Sequence, residues 1–326
     1  MSQTISKVLC WVLGMGVAPT LLAQTAPAWP SKPVRMIVGY PAGSSPDMLA
    51  RLLVEPLSKA LGQSVVIDNR PGAGGNIGTD LISKAEDDHT IGVAGNGPLT
   101  SAKLLNPKLP YDPARDLAPV ALIGSAPLVW TVAKPGGSAM PARAYIAHAL
   151  AEGDRMAYGS IGAGSGGHLG MELLKLRLGL KPLHVPFNGG PAILNAMVGG
   201  QVHMTLLPAS TVMPLVQAGR LDAIAVTSAS RSPMTPNLPS MDELGATGLN
   251  IEVWNAVVAP ARMSAPALAR LRAELEKIIT SPELRQQLMQ QGWRVDDASA
   301  KALAQRMKSD SVAYGDVITR NNIRLD

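Results

Sequence analysis

The 326-residue sequence has a single cysteine, Cys10, and it lies in the first segment. The chain beyond that segment therefore has no thiol. This excludes a disulfide framework, a cysteine nucleophile and a cysteine-based zinc site. Aromatic residues are scarce, with one Phe, five Trp and five Tyr. A binder of single-stranded nucleic acid needs stacking platforms, and few are available. The formal charge is +5 and the pI is near 9.4, yet no run of five Lys/Arg occurs and acidic residues are interspersed. That is the pattern of a solvated surface, so no nucleic-acid partner is expected. His89, His148, His168, His184 and His203 show neither an H-E-x-x-H spacing nor a carboxylate cluster, and no G-x-S-x-G elbow is present. The chemistry of a metal site or a nucleophile–base pair needs such groupings, so the residues point away from an enzyme and away from a metal.

Hydrophobic residues make up 46% of the chain, enough for substantial cores, and the length suggests about two domains. Residues Met1 to Ala28 have the three regions of an export signal. Lys7 precedes an apolar run from Val8 to Ala23, broken by Gly14, Gly16 and Pro19, and Ala26-Pro27-Ala28 supplies a small-x-small cleavage pattern. Cleavage after Ala23 is the alternative. After this segment no apolar run is long enough to cross a membrane, so the expected location is the periplasm of a Gram-negative cell.

The rest alternates short β-rich runs with helical stretches. Strands are expected at Val34–Tyr40, Val65–Asp68, Thr90–Ala94, Met156–Gly159, Leu183–Val185, Val202–Leu207 and Leu221–Thr227. Helices are expected at Asp47–Leu61, Asn76–Lys84, His168–Leu178, Pro191–Val198, Leu268–Thr280 and Ala300–Ile318. Strands separated by helices of this length call for α/β lobes built on parallel sheets with helices on their faces. Two apolar stretches, Leu117–Ala133 and Val253–Pro260, suit a chain that crosses twice between lobes. The expected division is 29–127 with 253–326 as lobe 1, and 128–252 as lobe 2.

Three glycine-rich loops, at Tyr40–Asp47, Arg70–Asn76 and Gly159–His168, each follow a strand and open a helix. Glycine permits close backbone approach and positive φ, and a helix start leaves several N–H groups unpaired. Such places attract anions through those donors and the helix dipole. The first and third loops contain no Lys or Arg, so an anion there would be held by main-chain amides and hydroxyls. The bland reading is that the loops only reverse the chain. Gly162, Gly164 and Gly167 match G-x-G-x-x-G, but the acidic residue a dinucleotide site needs is missing downstream, so no cofactor is expected. Ser165 and His168 are explained by capping and a helix face. Asp47 either caps the first helix or meets a ligand.

Several blocks in register resemble the Bug (TctC) family, the extracytoplasmic receptors of tripartite tricarboxylate transporters. They include Trp29-Pro30-Ser31-Lys32-Pro33, Asp68-Asn69-Arg70-Pro71-Gly72-Ala73-Gly74-Gly75-Asn76, Leu109-Pro110-Tyr111-Asp112-Pro113, His184-Val185-Pro186-Phe187 and Gly199-Gly200-Gln201-Val202. The resemblance spans essentially the whole chain after residue 28. It implies a two-lobed periplasmic binding protein of type II, each lobe a central sheet flanked by helices, hinged by two crossing strands. It further implies a small organic carboxylate as ligand, and a membrane permease or a sensor kinase as partner. No catalysis is implied, and a monomer is the default for such a receptor. Carried over onto this sequence, the ligand-binding residues are Pro41, Ala42, Gly43, Ser44, Ser45 and Asp47 of the first loop. From the third loop come Ser160, Ile161, Gly162, Gly164, Ser165, Gly166 and His168. Asn96, Phe187, Asn188, Gly189 and Leu207 complete the pocket. Two departures stand out: Pro46 replaces the usual Thr before Asp47, and Leu207-Pro208 replaces an Asp-Asn pair.

Overall fold

The computed structural model describes residues 29–134, 137–233 and 235–324; the expected export signal lies outside them. In chain order the first half of the path runs β1 (Val34–Val38), α1 (Ser45–Leu61), β2 (Val65–Asn69), α2 (Asn76–Ser83), β3 (Thr90–Gly95), α3 (Asn96–Leu99), α4 (Ser101–Leu105), α5 (Pro113–Asp116) and β4 (Leu117–Val132). It continues through α6 (Ala142–Glu152), β5 (Ala157–Ser160), α7 (Gly166–Leu178), β6 (Leu183–Pro186), α8 (Gly190–Val198), β7 (Met204–Pro208), α9 (Ala209–Gln217) and β8 (Asp222–Val226). The path ends with β9 (Glu252–Pro260), α10 (Ala265–Ile279), α11 (Pro282–Gln290) and α12 (Ala300–Arg320).

The strands form one curled sheet in the order β2-β1-β3-β9-β4-β7-β5-β6, with β8 also on β4. Strands β2, β1 and β3 are parallel, as are β7, β5 and β6, because helices connect them. Each half is covered by helices, and each has its own core. In one, Leu49, Leu53, Leu57 and Leu61 recur every turn along α1 and meet Met36, Val93 and Val257 of the sheet. In the other, Trp130, Tyr145, Tyr158, Met171 and Met204 pack together. Helix α1 stops at Gly62, which takes the left-handed conformation (φ 73°) that glycine adopts without a steric penalty.

Strand β4 joins the halves. Leu117–Pro127 pairs with β9, and Leu128–Val132 pairs with β7 and β8. The apolar stretch Leu117–Ala133 is thus, but for its last residue, a single strand of 16 residues. Its register breaks at Pro119/Ala121, Leu122/Gly124 and Trp130/Thr131, and such irregularities let a long strand bend and twist. Helix α12 backs both halves: Leu303 and Met307 join the core beneath Trp254, while Tyr314, with Ile323 of the segment after the helix, packs on Leu169 of α7.

Candidate functional site

The carboxyl ends of β1, β3, β5, β6 and β7 all open toward the gap between the halves, and there they enclose a narrow cavity of about 50 Å³, enough for several waters or a small solute. Helix starts make much of its wall. Ser44, Ser45 and Pro46 come from α1, Ser165, Gly166 and Gly167 from α7, Gly189 and Gly190 from α8, and Pro208 and Thr211 from α9. Gly95 from the end of β3 and Asn96 and Gly97 from the start of α3 join them. The remaining wall is Tyr40, Leu128, Ile161, Leu206, Leu207, Val253, Trp254, Asn255 and Trp293. None of these lining residues is ionisable except Tyr40, whose pKa is pushed up by burial so that it stays neutral.

The halves meet directly around this cavity. Ser45 Oγ and Thr211 Oγ1 are 2.7 Å apart, and Ser101 Oγ donates to the Gly164 carbonyl at 2.5 Å. Backbones approach so closely that a Cβ at Gly162 would stand 2.7 Å from Gly74 Cα. One at Gly97 would stand 3.3 Å from Gly164 O.

Helix α1 has no side-chain cap: Ser44 Oγ instead donates to the Pro41 carbonyl at 2.6 Å. Its first-turn amides, Ser45 and Asp47, are the orphans every helix start carries. In α7, Ser165 Oγ accepts only the His168 amide, at 3.3 Å, which leaves the amides of Gly166 and Gly167 at the cavity wall. The donors and the dipole of each helix favour an anion here without any cationic side chain.

Of the residues the sequence singled out, Ser44, Ser45, Asn96, Ile161, Ser165, Gly166, Gly189 and Leu207 line the cavity. Ala42 and Gly43 form an exposed loop tip, and Pro41 packs against Gly189. The amides of Gly43 and Gly164 are both bonded within their own loops. Each is taken by the side chain four residues on: Gly43 N donates to Asp47 Oδ2 at 2.9 Å, and Gly164 N to His168 Nδ1 at 3.1 Å. Asp47 stands behind its loop, 1% exposed, and also accepts from Arg51 and Asn69. Burial works to raise its pKa, but the bonds from Arg51, Asn69 and Gly43 outweigh that and hold it below the ordinary carboxylate range. Ser160 bonds His184 (2.7 Å) and the Gly162 amide (3.1 Å), and the His184 ring lies 4.3 Å from that of His168, so these three scaffold the third loop from within. Gly162, Phe187 and Asn188 line a separate groove of about 360 Å³ with Gly74 and Asn76.

The sequence reading passed over Thr211, Val253, Asn255 and Trp293. Asn255 carried a usable signal: an amide inside the otherwise apolar run Val253–Pro260.

Comparison with known proteins agrees with this geometry. Residues 49–323 match the family described as the tripartite tricarboxylate transporter family receptor. A UPF0065 protein encoded in the tcbD-tcbE intergenic region of Pseudomonas sp. (strain P51) is 33% identical over 307 residues, 93% of this chain and 90% of that protein. Among solved structures, R. palustris Rpa4515 with adipate superposes with a TM-score of 0.86 at 30% identity, covering 91% of this chain and 99% of that one. MatC (Rpa3494) from Rhodopseudomonas palustris with bound malate gives 0.83 at 28% identity, covering 89% and 100%.

Proposed function

The chain belongs to the tripartite tricarboxylate transporter receptor family, and from that premise we propose that it is a periplasmic receptor that closes over a small organic carboxylate and hands it to the membrane permease of a tripartite transporter. The observation that carries this reading is the cavity wall, where the starts of α1, α7, α8 and α9 converge and no charged side chain is found among the described lining residues. A carboxylate placed there takes main-chain amides and serine hydroxyls, and exclusion of water strengthens each bond. Charge-assisted hydrogen bonds contribute about 1.5–3 kcal/mol each. Four of them give about 6–12 kcal/mol, and after an association cost of at least about 4 kcal/mol the upper end of that range, reached where water is excluded, corresponds to roughly micromolar binding. Adipate and malate, bound by the two neighbours, are both carboxylates.

On this reading lobe 1 (29–127 with 253–326) and lobe 2 (128–252) move about β4 and β9, and the ligand selects the closed form because only that form offers both sets of donors. The receptor acts as a monomer and returns its ligand unchanged. The test is thermal unfolding of ligand-stripped protein across a panel of mono-, di- and tricarboxylates. A ligand at a hundredfold excess over its Kd stabilises by about 2.7 kcal/mol, which is roughly a 5–10 °C rise in Tm for a chain of this size. A broad panel without a shift would refute the reading.

A further inference from the structure

Asn255 is a polar side chain in the cavity wall whose bonding the protein itself does not account for. It lies on β9, paired with Gly95 of β3 and Gly124 of β4, so neither strand neighbour places a side chain beside it. It is 4% exposed and lines the cavity, and among the described residues its side-chain amide takes part in no hydrogen bond. Its Oδ1 stands next to Gly95, 3.5 Å from where a Cβ of that residue would be. The contrast with Asn96 is informative. That neighbour in the wall is held from behind, its Nδ2 donating to Tyr314 at 3.0 Å. Buried amides are nearly always paired, and one held at a cavity without a protein partner is poised for a solute.

The helix starts of α1 and α7 supply donors for one carboxylate, so Asn255 is available to a different group. We infer that Asn255 is a specificity-determining residue that reads a second oxygen on the ligand, so that a carboxylate bearing a hydroxyl, oxo or further carboxylate group is preferred to a plain alkanoate. An amide offers both a donor and an acceptor, which suits a hydroxyl as well as a carboxylate oxygen. Leu128, Leu206, Leu207 and Val253 supply apolar wall for the carbon chain. This inference rests on the receptor reading above, and the experiment separates the two.

Dissociation constants are measured by calorimetry for the wild-type chain, Asn255→Leu and Asn255→Ser. The probes are alkanoates, hydroxyalkanoates and α,ω-diacids of matched chain length. The wild type is expected to favour the oxygenated partner of its best-fitting length by roughly ten- to a hundredfold, the effect of pairing or orphaning one buried polar group. Asn255→Leu is expected to bring that ratio close to one. Asn255→Ser, which keeps a small polar group, reads the same ratio if the leucine variant does not fold. A wild type that prefers the alkanoate, or variants that keep the wild-type ratio, overturns the inference and leaves the receptor reading intact. A wild type that binds no carboxylate overturns both.

Discussion

The carboxylate of Asp47 accepts from the Gly43 amide, from Asn69 Nδ2 and from both Nε and an Nη of Arg51. Such an acid orders the binding loop without lining the cavity, and its position in the first turn of α1 adds a favourable helix dipole. Replacing it with asparagine turns an amide NH₂ toward donors that now lack an acceptor. Asp47→Asn is expected to cost about 1–3 kcal/mol, a fall in Tm of roughly 2–10 °C for a chain this long. Arg51 is half exposed, so its share is screened, and most of the cost belongs to Gly43 and Asn69. The pH dependence has a definite sign. The folded-state pKa lies below the unfolded one, so the stabilisation is complete above the ordinary carboxylate range and disappears as pH falls through the depressed folded value. The Tm gap between wild type and Asp47→Asn should therefore narrow on acidification; a constant gap would show that the charge is not what holds the loop. The same residues show what a sequence reveals of a site. Glycine-rich turns without Lys or Arg disclosed which loops open onto the cavity, but the spacing could not tell that Asp47 and His168 would claim the amides of Gly43 and Gly164.

At the scale of elements, α12 is a back-plate to the cavity. Asp310 and Tyr314 lie one turn apart on it. The first accepts from Trp254 Nε1 at 2.7 Å and the second bonds Asn96 at 3.0 Å, so one helix face fixes two wall residues. Tyr314→Phe keeps the ring in its packing with Leu169 and Ile323 but orphans the Asn96 amide. The expected result is a loss of about 1–2 kcal/mol of stability and weaker ligand binding by calorimetry, both stronger than for a substitution such as Val312→Ala on the exposed face of the same helix. Equal effects from the two would remove α12 from the site. Most elements could be read from period and punctuation: α1 from its leucines, β4 from an unbroken apolar run, and β9 as its return partner. Six helices could not: the short α3, α4 and α5, and the longer α6, α9 and α11. Helix α9 contains Thr211, Val212 and an internal Pro214, all poor helix formers, and holds its shape by packing Val212 with Val129, Ile193 and Val226. Helix α6 buries only Tyr145 and Ala149, and α11 is mostly polar with Leu284 and Leu288 as its buried contacts, so the apolar period in each is faint. Because α9 was unread, its start, with Thr211 beside Ser45, was unread as part of the wall.

For the whole molecule the question is what limits closure. Beside the apolar packing of Tyr314 and Ile323 on Leu169, the contacts between halves around the cavity are small and neutral: a hydroxyl pair at Ser45 and Thr211, a serine on a carbonyl at Ser101 and Gly164, and bare backbone at Gly74 against Gly162 and at Gly97 against Gly164 and Ser165. Few of these bonds resist opening, so on the proposed reading a ligand's own bonds are a large share of what favours the closed form. Glycine at the meeting points lets the backbones come within reach of one solute. Gly97 is the cleanest place to test this, because its φ is ordinary and a side chain there strains nothing but the approach of the other half. Gly97→Val would press a branched side chain onto the Gly164 carbonyl and Ser165, and overpacking of that kind costs about 1–3 kcal/mol. That cost falls on the closed form alone. The ligand-free variant is therefore expected to unfold within a degree or so of wild type, while its ligand affinity drops roughly ten- to a hundredfold. Small-angle scattering should show the wild type contracting when ligand is added and the variant remaining expanded at the same concentration. A variant that contracts and binds like wild type would mean that residues 97 and 164 do not meet on closure, and the cavity would then need a different origin.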